Sequence, residues 1–511
     1  MLDKLSRPPS KNWQVLLFFS LAGLLLYLPV LGNVFLTDDY AALYRVSIKK
    51  EILHKGFFRP LIDVTFWFNY IFSGLRPQGY YIFNLALHVA TCYMVFKAAL
   101  DMPFFTDERR EALAWTAAWL FLFYPFHNES IVWLSGRLSS IAALCALAAI
   151  HYSYRSRPPW NWVLPGLAML IGLLAYESIV MLPLMIFLLT WRKHGDRRAF
   201  MRSVYGWVGV VVLYLLIRYF SVGTLLSRHK SEAIVTGGWH AGVVRLLKSA
   251  GRCFLPPIEA TRVSVIAFVI VCIAVAVIHI LLWRRRRSAG AFLNQYLRTG
   301  SVFALSMIPL VSFGVSTRTS EGDRLLYFPS CFLCIMASAV MFVLINEQRQ
   351  RLLLTGLMIA GSIFFLQRNN QLWIKASKAS SSVTEVIKGA GGRNVILINL
   401  PDEIEGVPVF RNNFANYLMV NKADTGRVYV NNYLLRLDYL PVKDNIPVSE
   451  REDGSFIYPC TLIRPDSGSA MAGGGRYIIE NLRNGTKKIF SRESVVICYW
   501  DKSQLKSLIL K

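Results

Sequence analysis

The sequence predicts a polytopic α-helical membrane protein of about eleven transmembrane helices followed by a small C-terminal α+β domain. Three observations carry that prediction. Of 511 residues, 54% are hydrophobic and 17% charged, whereas a soluble chain carries roughly a quarter charged residues. The apolar residues gather into runs that approach or reach the roughly 20 helical residues needed to cross a hydrocarbon core. Finally, 56 Lys and Arg against 31 Asp and Glu give a net charge of +25, and the basic residues cluster between the runs. That excess reads as membrane topology beside anionic lipid, and the composition argues against a nucleic-acid partner.

The candidate spans are residues 13–33, 79–100, 112–126, 130–151, 160–176, 178–191, 203–222, 263–283, 300–316, 325–345 and 351–367. No secretory cleavage pattern precedes the first, since Lys4, Arg7 and Lys11 lead straight into it. With a cytoplasmic N-terminus, one side receives Arg109 and Arg110, Arg155 and Arg157, the run Arg192 to Arg202, the tetrad Arg284 to Arg287, and Arg349 with Arg351. An odd number of crossings then puts the C-terminus outside.

On this reading residues 1–367 form the transmembrane domain, with outer loops at 34–78 and 223–262, and 368–511 form an extracytoplasmic domain of unassigned role. The first loop has two amphipathic stretches, 39–54 and 60–72, suited to helices on the membrane surface, and the second loop has another around Val243 to Arg252. In the C-terminal domain a helix at 376–390 precedes strand candidates at 395–400, 427–434, 456–463, 476–482 and 494–500. No repeat with a period near 34 residues is present.

Charged residues recur where spans leave the membrane. Asp38-Asp39 follow the first span and read either as a solvated helix cap or as paired carboxylates roofing a cavity. Arg59 and Asp63 continue that loop, and Asn84 and His88 share a face of the second span. His127 and Glu129 stand between the third and fourth spans. Two such ligands without a third are a weak metal signal, and an ion pair from Glu129 to Arg137, two helical turns on, is the simpler reading. Glu177 lies between the fifth and sixth spans. Arg318 and Arg324 precede the tenth, where Arg324 either meets an anionic head group or bridges to Glu321 or Asp323. Charges at one face, with few at mid-depth, fit surface chemistry on a lipid-borne substrate better than an ion pathway.

Other signals are discounted. The glycines at 389–392 follow a helix and precede a strand, the reverse of a dinucleotide loop, and read as a helix stop. Cys331 and Cys334 in an apolar span read as packing. Cys460 and Cys498 could pair in an oxidising compartment, and Asn128 and Asn484 head glycosylation sequons.

In order along the chain, Asp38-Asp39, Arg59-Pro60-Leu61, the stretch Gly79 to His88, Pro125 to Ser130 with Gly136-Arg137, Tyr176-Glu177, and Asp323 to Ser330 resemble the motifs of the GT-C superfamily. This superfamily comprises polyprenyl-phosphate-sugar-dependent membrane glycosyltransferases. The closest likeness is to its protein O-mannosyltransferase-like branch, which includes the transmembrane and tetratricopeptide-repeat mannosyltransferases. The chain departs from that pattern where 375–511 replaces the repeats and where Tyr176 replaces a lysine often found before the glutamate.

The resemblance implies a GT-C-like helix arrangement and direct, inverting transfer of a sugar from a polyprenyl-phosphate donor to a hydroxyl acceptor, which can be a glycan, a lipid or a protein. Asp38 is then assigned as general base and Asp39 as the neighbour that orients the acceptor or shares the proton, although either carboxylate can fill the first role. Arg324, with Arg318, would hold the donor phosphate. Arg59, His88, His127, Glu129, Arg137, Glu177 and Tyr327 would line the cavity. No cofactor or metal is required, though Asp38, Asp39 and Glu129 could recruit a divalent ion. The implied setting is the cell envelope, with the protein in a bacterial inner membrane and its C-terminal domain periplasmic. The rival functions are a transporter or flippase and a polymerase or ligase of lipid-linked glycans. Alternating access predicts broken spans in two matching halves, and no internal duplication is present.

Overall fold

A computed structural model describes residues 12–54, 58–105, 108–156, 159–191, 197–223, 228–284, 290–312, 314–397, 400–424, 426–430, 449–450, 456–458, 461–465, 476–481, 487–501 and 504–507. Lys4, Arg7, Lys11, Arg157, Arg192, Arg285 to Arg287, Cys460 and the Asn484 sequon lie outside them. The chain divides into two units, Met1–Leu31 with Glu51–Gln371, and Gly32–Lys50 with Leu372–Lys511.

The first unit is helical. Its elements are α1 (Asn12–Tyr27), α3 (Pro60–Ser73), α4 (Pro77–Asp101), α5 (Glu108–Leu122), α6 (Asn128–Ile131), α7 (Arg137–Arg155), α8 (Trp160–Ala175), α9 (Leu182–Thr190), α10 (Arg197–Val222), α11 (Arg228–Arg252), α12 (Thr261–Arg284), α13 (Gly290–Met307), α14 (Tyr327–Leu344) and the start of α15 (Gln348–Gly389). A helix coincides with every stretch expected to span, and among the described residues seven are long and apolar enough to cross a membrane. The protein is therefore a polytopic helical membrane protein. The expected surface stretch 60–72 is α3, started by Pro60 at its first turn and ended at Gly74, whose φ of +57° suits glycine. The amphipathic stretch of the second loop is α11.

Helices α4, α5, α7, α8 and α14 pack into the core of this unit. In contrast, α12 exposes Val263, Ile266, Ile270 and Ile273, as a lipid-facing helix does. At one end of the core, Asp101 receives His151 Nδ1 at 2.5 Å and Arg155 Nε at 2.6 Å, tying α4 to α7. The separate helix expected at 376–390 is instead the second half of α15, continuous with the last apolar run.

In the second unit, α2 (Asp39–Tyr44) continues as a π-helical turn to Lys49 and ends at Lys50 in the left-handed region. The helix therefore falls short of the expected 39–54. Strands β1 (Asn394–Leu397), β4 (Val428–Val430), β10 (Val495–Asp501) and β11 (Gln504–Ser507) form a sheet in the order β11-β10-β1-β4. In it β1 runs parallel to β4 and β10, and β11 is antiparallel. Glycines 391 and 392 have positive φ between α15 and β1 and act as the expected helix stop. Strands β2 (Glu403–Ile404) and β3 (Val407–Pro408) form a small hairpin, followed by α16 (Phe414–Val420). An antiparallel meander joins β5 (Ser449–Glu450), β6 (Phe456–Tyr458), β7 (Thr461–Pro465), β8 (Arg476–Asn481) and β9 (Lys487–Ser491). The run 456–463, read as one strand, contains parts of β6 and β7, an antiparallel pair.

Candidate active site

In the first unit the site grows from the segment that leads into α14. Gly322, at φ +89°, turns the chain into a short 3-10 helix at Asp323–Leu326. Asp323 Oδ1 accepts from Arg252 Nη2 at 2.5 Å with both side chains buried, and Arg252 Nε donates to the Ser316 carbonyl at 2.9 Å. Arg252 also stacks on Phe126, 4.6 Å from the ring centre. This buried pair fixes the backbone on which Arg324 stands.

Arg324 pairs with Glu129 and with neither Glu321 nor Asp323. Its Nη1 donates to Glu129 Oε1, and its backbone N–H donates to Oε2 at 2.9 Å. The guanidinium lies 4.9 Å from the Trp133 ring centre. Its Nε and Nη2 have no hydrogen-bond partner among the described residues, and 27% of the side chain is exposed. Burial pushes the Glu129 carboxyl above its ordinary value, while the charge and the backbone N–H of Arg324 draw it back.

The expected pair between Glu129 and Arg137 does not form, because no continuous helix joins them. The chain turns after α6 through a 3-10 turn at Leu134–Gly136, and a Cβ at Gly136 would collide with the Glu129 carbonyl oxygen. Arg137 is fully buried instead. Its Nη1 donates to Asn69 Oδ1 at 2.5 Å, its Nε to the Leu134 carbonyl at 3.0 Å, and Phe66 and Phe83 cover it at 4.6 and 5.0 Å. Asn84 Nδ2 supports the turn by donating to the Ile131 carbonyl at 3.0 Å. Asn128 is buried against Asn370 at 2.5 Å, which is no place for a glycan.

Beside this pair, Arg59 stacks on Tyr176, 5.1 Å from the ring centre, and Tyr176 interacts electrostatically with Arg59, Glu177, Arg324 and Glu129. Glu177 lies 3.9 Å from Arg218 Nη1, which donates to Tyr214 Oη at 3.2 Å. His88, His127 and Tyr327 form a buried aromatic cluster: His88 Nδ1 bonds Tyr327 Oη at 2.7 Å and His127 Nε2 bonds Ser330 Oγ at 2.8 Å. Arg318 is exposed and donates to Thr261 Oγ1 at 3.1 Å. Cys331 and Cys334 are buried free thiols.

Asp38 and Asp39 belong to the second unit. Thr37 N–H donates to the Val409 carbonyl at 3.1 Å, and Asn413 Nδ2 donates to Asp38 Oδ1 at 2.8 Å. Asp39 is 1% exposed, and its Oδ2 accepts from Leu36 N–H at 3.3 Å. Tyr40 packs edge-on against Tyr417 at 5.0 Å, and burial pushes its phenol up to about 12. Asp38 occupies the N-cap position of α2 without making the side-chain cap bond. The cap reading therefore describes its position and not its bonding.

The first unit thus offers a guanidinium with unused donors and an aromatic wall, a setting that suits an oxyanion. The second offers a buried carboxylate beside a half-buried one. Sequence reasoning missed the pair of Arg252 and Asp323, and Arg218. Arg218 carried a signal, as the one charged residue in the apolar stretch 203–222, whereas the pairing of Arg252 with Asp323 depends on contacts between residues far apart in the chain.

No family model matches the chain, and no solved structure matches it. Among curated proteins, it is 31% identical over 132 residues to the protein O-mannosyl-transferase Tmtc3 of Drosophila melanogaster, covering 23% of this chain and 14% of that protein. It is 28% identical over 133 residues to human protein O-mannosyl-transferase TMTC3, covering 26% and 14%. A protein O-mannosyl-transferase of Caenorhabditis elegans is 21% identical over 315 residues, covering 58% of this chain and 43% of that protein. The chain thus spans less than half the length of these relatives. Over the matched stretches it is similar to the protein O-mannosyl-transferases, as its motifs imply.

Proposed function

We propose that the protein is an inverting membrane glycosyltransferase that moves a sugar from a polyprenyl-phosphate donor to a hydroxyl acceptor at the outer membrane face. The setting is a bacterial inner membrane, with eleven crossings, a cytoplasmic N-terminus and a periplasmic C-terminal domain. The acceptor is a glycan, a lipid or a protein. The observation that carries the proposal is Arg324, held by Glu129 yet with Nε and Nη2 unpartnered among the described residues. The similarity to O-mannosyl-transferases supports the reaction class.

A sugar phosphodiester needs little activation. Its phosphate leaves as a stable anion once the growing charge is met, and a guanidinium meets it with parallel N–H donors. Arg324 takes that role, with Arg318 as a second basic group. An acceptor hydroxyl attacks the anomeric carbon as the bond from that carbon to the phosphate oxygen breaks, and the hydroxyl proton passes to Asp38 or Asp39. Configuration inverts in one displacement, and no metal-bound step is invoked.

The test is transfer of labelled mannose from a polyprenyl-phosphate donor to endogenous acceptors in membranes containing the full chain. Asp38→Asn or Asp39→Asn should lower transfer by about 100-fold or more, the range ascribed to a general base, with unchanged thermal unfolding. Arg324→Gln should lower it comparably. Full activity in both aspartate variants would overturn the assigned base, and absence of transfer from any polyprenyl-phosphate sugar would overturn the donor.

A further inference from the structure

Arg218 sits near the end of α10, the one charged residue in its stretch 203–222, and is 6% exposed. Its Nη1 reaches Tyr214 Oη at 3.2 Å and stands 3.9 Å from Glu177 Oε2, too far for a hydrogen bond, and its buried Nε has no partner among the described residues. Arg59 is half-buried, and its guanidinium contacts the Tyr176 ring with no ion pair or side-chain hydrogen bond among the described residues. Tyr176, against which Arg59 stacks, adjoins Glu177 in sequence, Glu177 lies nearest Arg218, and Tyr176 also feels the charges of Arg324 and Glu129. The three arginines therefore belong to one cluster.

Arg324 has Glu129 as its ion-pair partner and also feels the charge of Glu321, whereas among the described residues Arg59 makes no ion pair and Arg218 comes no nearer than 3.9 Å to Glu177. A buried guanidinium with unused donors is costly unless an anion completes it. Tyr214, the Tyr176 ring and Glu177 hold Arg59 and Arg218 in place but supply no second full charge.

We infer that Arg59 and Arg218 form a second anion contact beside Arg324 and that all three guanidinium groups bind the phosphate of the lipid-linked donor. This rests on the donor reading above. Arg324 then need not compensate the phosphate alone, and Arg218 is a binding residue contributed by the apolar stretch of α10.

The experiment measures binding of a short-chain prenyl phosphate to the full chain in lipid nanodiscs, alongside KM and kcat for the labelled donor. Arg218→Gln and Arg59→Gln should each weaken binding by about tenfold or more, the worth of a charge-assisted hydrogen bond, and should raise KM. Arg218→Lys should recover part of the loss. Because Arg218→Gln strands Glu177, the double variant Glu177→Gln/Arg218→Gln separates folding from binding, and it should also bind weakly. Normal binding in the double variant, or wild-type binding in both Arg59→Gln and Arg218→Gln while Arg324→Gln fails to bind, would overturn this inference and leave the donor reading standing. Failure of the wild-type protein to bind prenyl phosphate would overturn both.

Discussion

At the scale of single residues, the pair of Glu129 and Arg324 yields two effects of opposite sign. Burial raises the Glu129 carboxyl above its ordinary value. On acidification it therefore takes up a proton before an exposed glutamate would, and Arg324 loses its ionic partner at that point. Transfer should fall as pH drops through this raised value. Stability from the same group moves the other way. A folded-state value above the unfolded one means the folded chain holds the proton more tightly, so the contribution is complete at low pH and is lost as pH rises through the folded value. Activity should thus decline on mild acidification with no fall in the unfolding temperature from this group. Glu129→Gln, less active at neutral pH, should lack that limb of the profile; a pH-rate curve of unchanged shape in the variant would reject the link. The acidic residue itself was legible from its place between two spans. Its partner was not, because the helix break at 134–136 depends on the Gly136 contact with the Glu129 backbone, which no spacing rule registers.

At the scale of elements, the segment bearing Arg324 depends on the buried pair of Arg252 and Asp323. Removing one partner of such a pair leaves an uncompensated charge, at a cost of about 3–5 kcal/mol. Arg252→Gln should therefore lower the unfolding temperature sharply, and Arg252→Met combined with Asp323→Asn should recover most of the loss; a double variant as unstable as the single would show that packing, not charge, dominates. Helix α15 makes a related point. Its 42 residues measure about 63 Å, twice the roughly 30 Å hydrocarbon core, and the sequence reads as a span at 351–367 followed by a separate helix at 376–390. The polar residues at the junction are bonded within the helical unit. Gln367 and Asn370 donate to the Leu26 carbonyl at 2.9 and 3.1 Å, and Asn369 donates to Pro125 at 2.9 Å. They satisfy carbonyls at the ends of other elements. Asn370→Leu should cost about 1–3 kcal/mol, the price of leaving buried polar partners unmet, as read by thermal unfolding. The length of the apolar runs located the helices well, because bilayer thickness dictates it. Where they end is set by side chains distant in sequence.

At the scale of the whole molecule, residues 34–50 were legible as amphipathic and acidic, but not as part of a unit with residues beyond 371. Thr37 and Asp38 meet Val409 and Asn413 across more than 370 residues of chain, and neither composition nor spacing reports a contact of that range. The C-terminal domain, whose role composition left blank, thereby acquires a structural task in holding the Asp38-Asp39 turn. Asn413 is suited to the test. Its φ of +65° is readily adopted by glycine, so Asn413→Gly deletes the amide that bonds Asp38 without straining the backbone. If the carboxylates act as proposed, kcat for transfer should fall by about tenfold, the worth of one hydrogen bond to a charged group. Binding of prenyl phosphate, assigned to arginines of the first unit, should stay at its wild-type value. Asn413→Asp, which sets a like charge against Asp38, should reduce kcat further. Equal losses in binding and kcat would mean that the turn serves general folding, and wild-type kcat in both variants would remove the C-terminal domain from the catalytic argument.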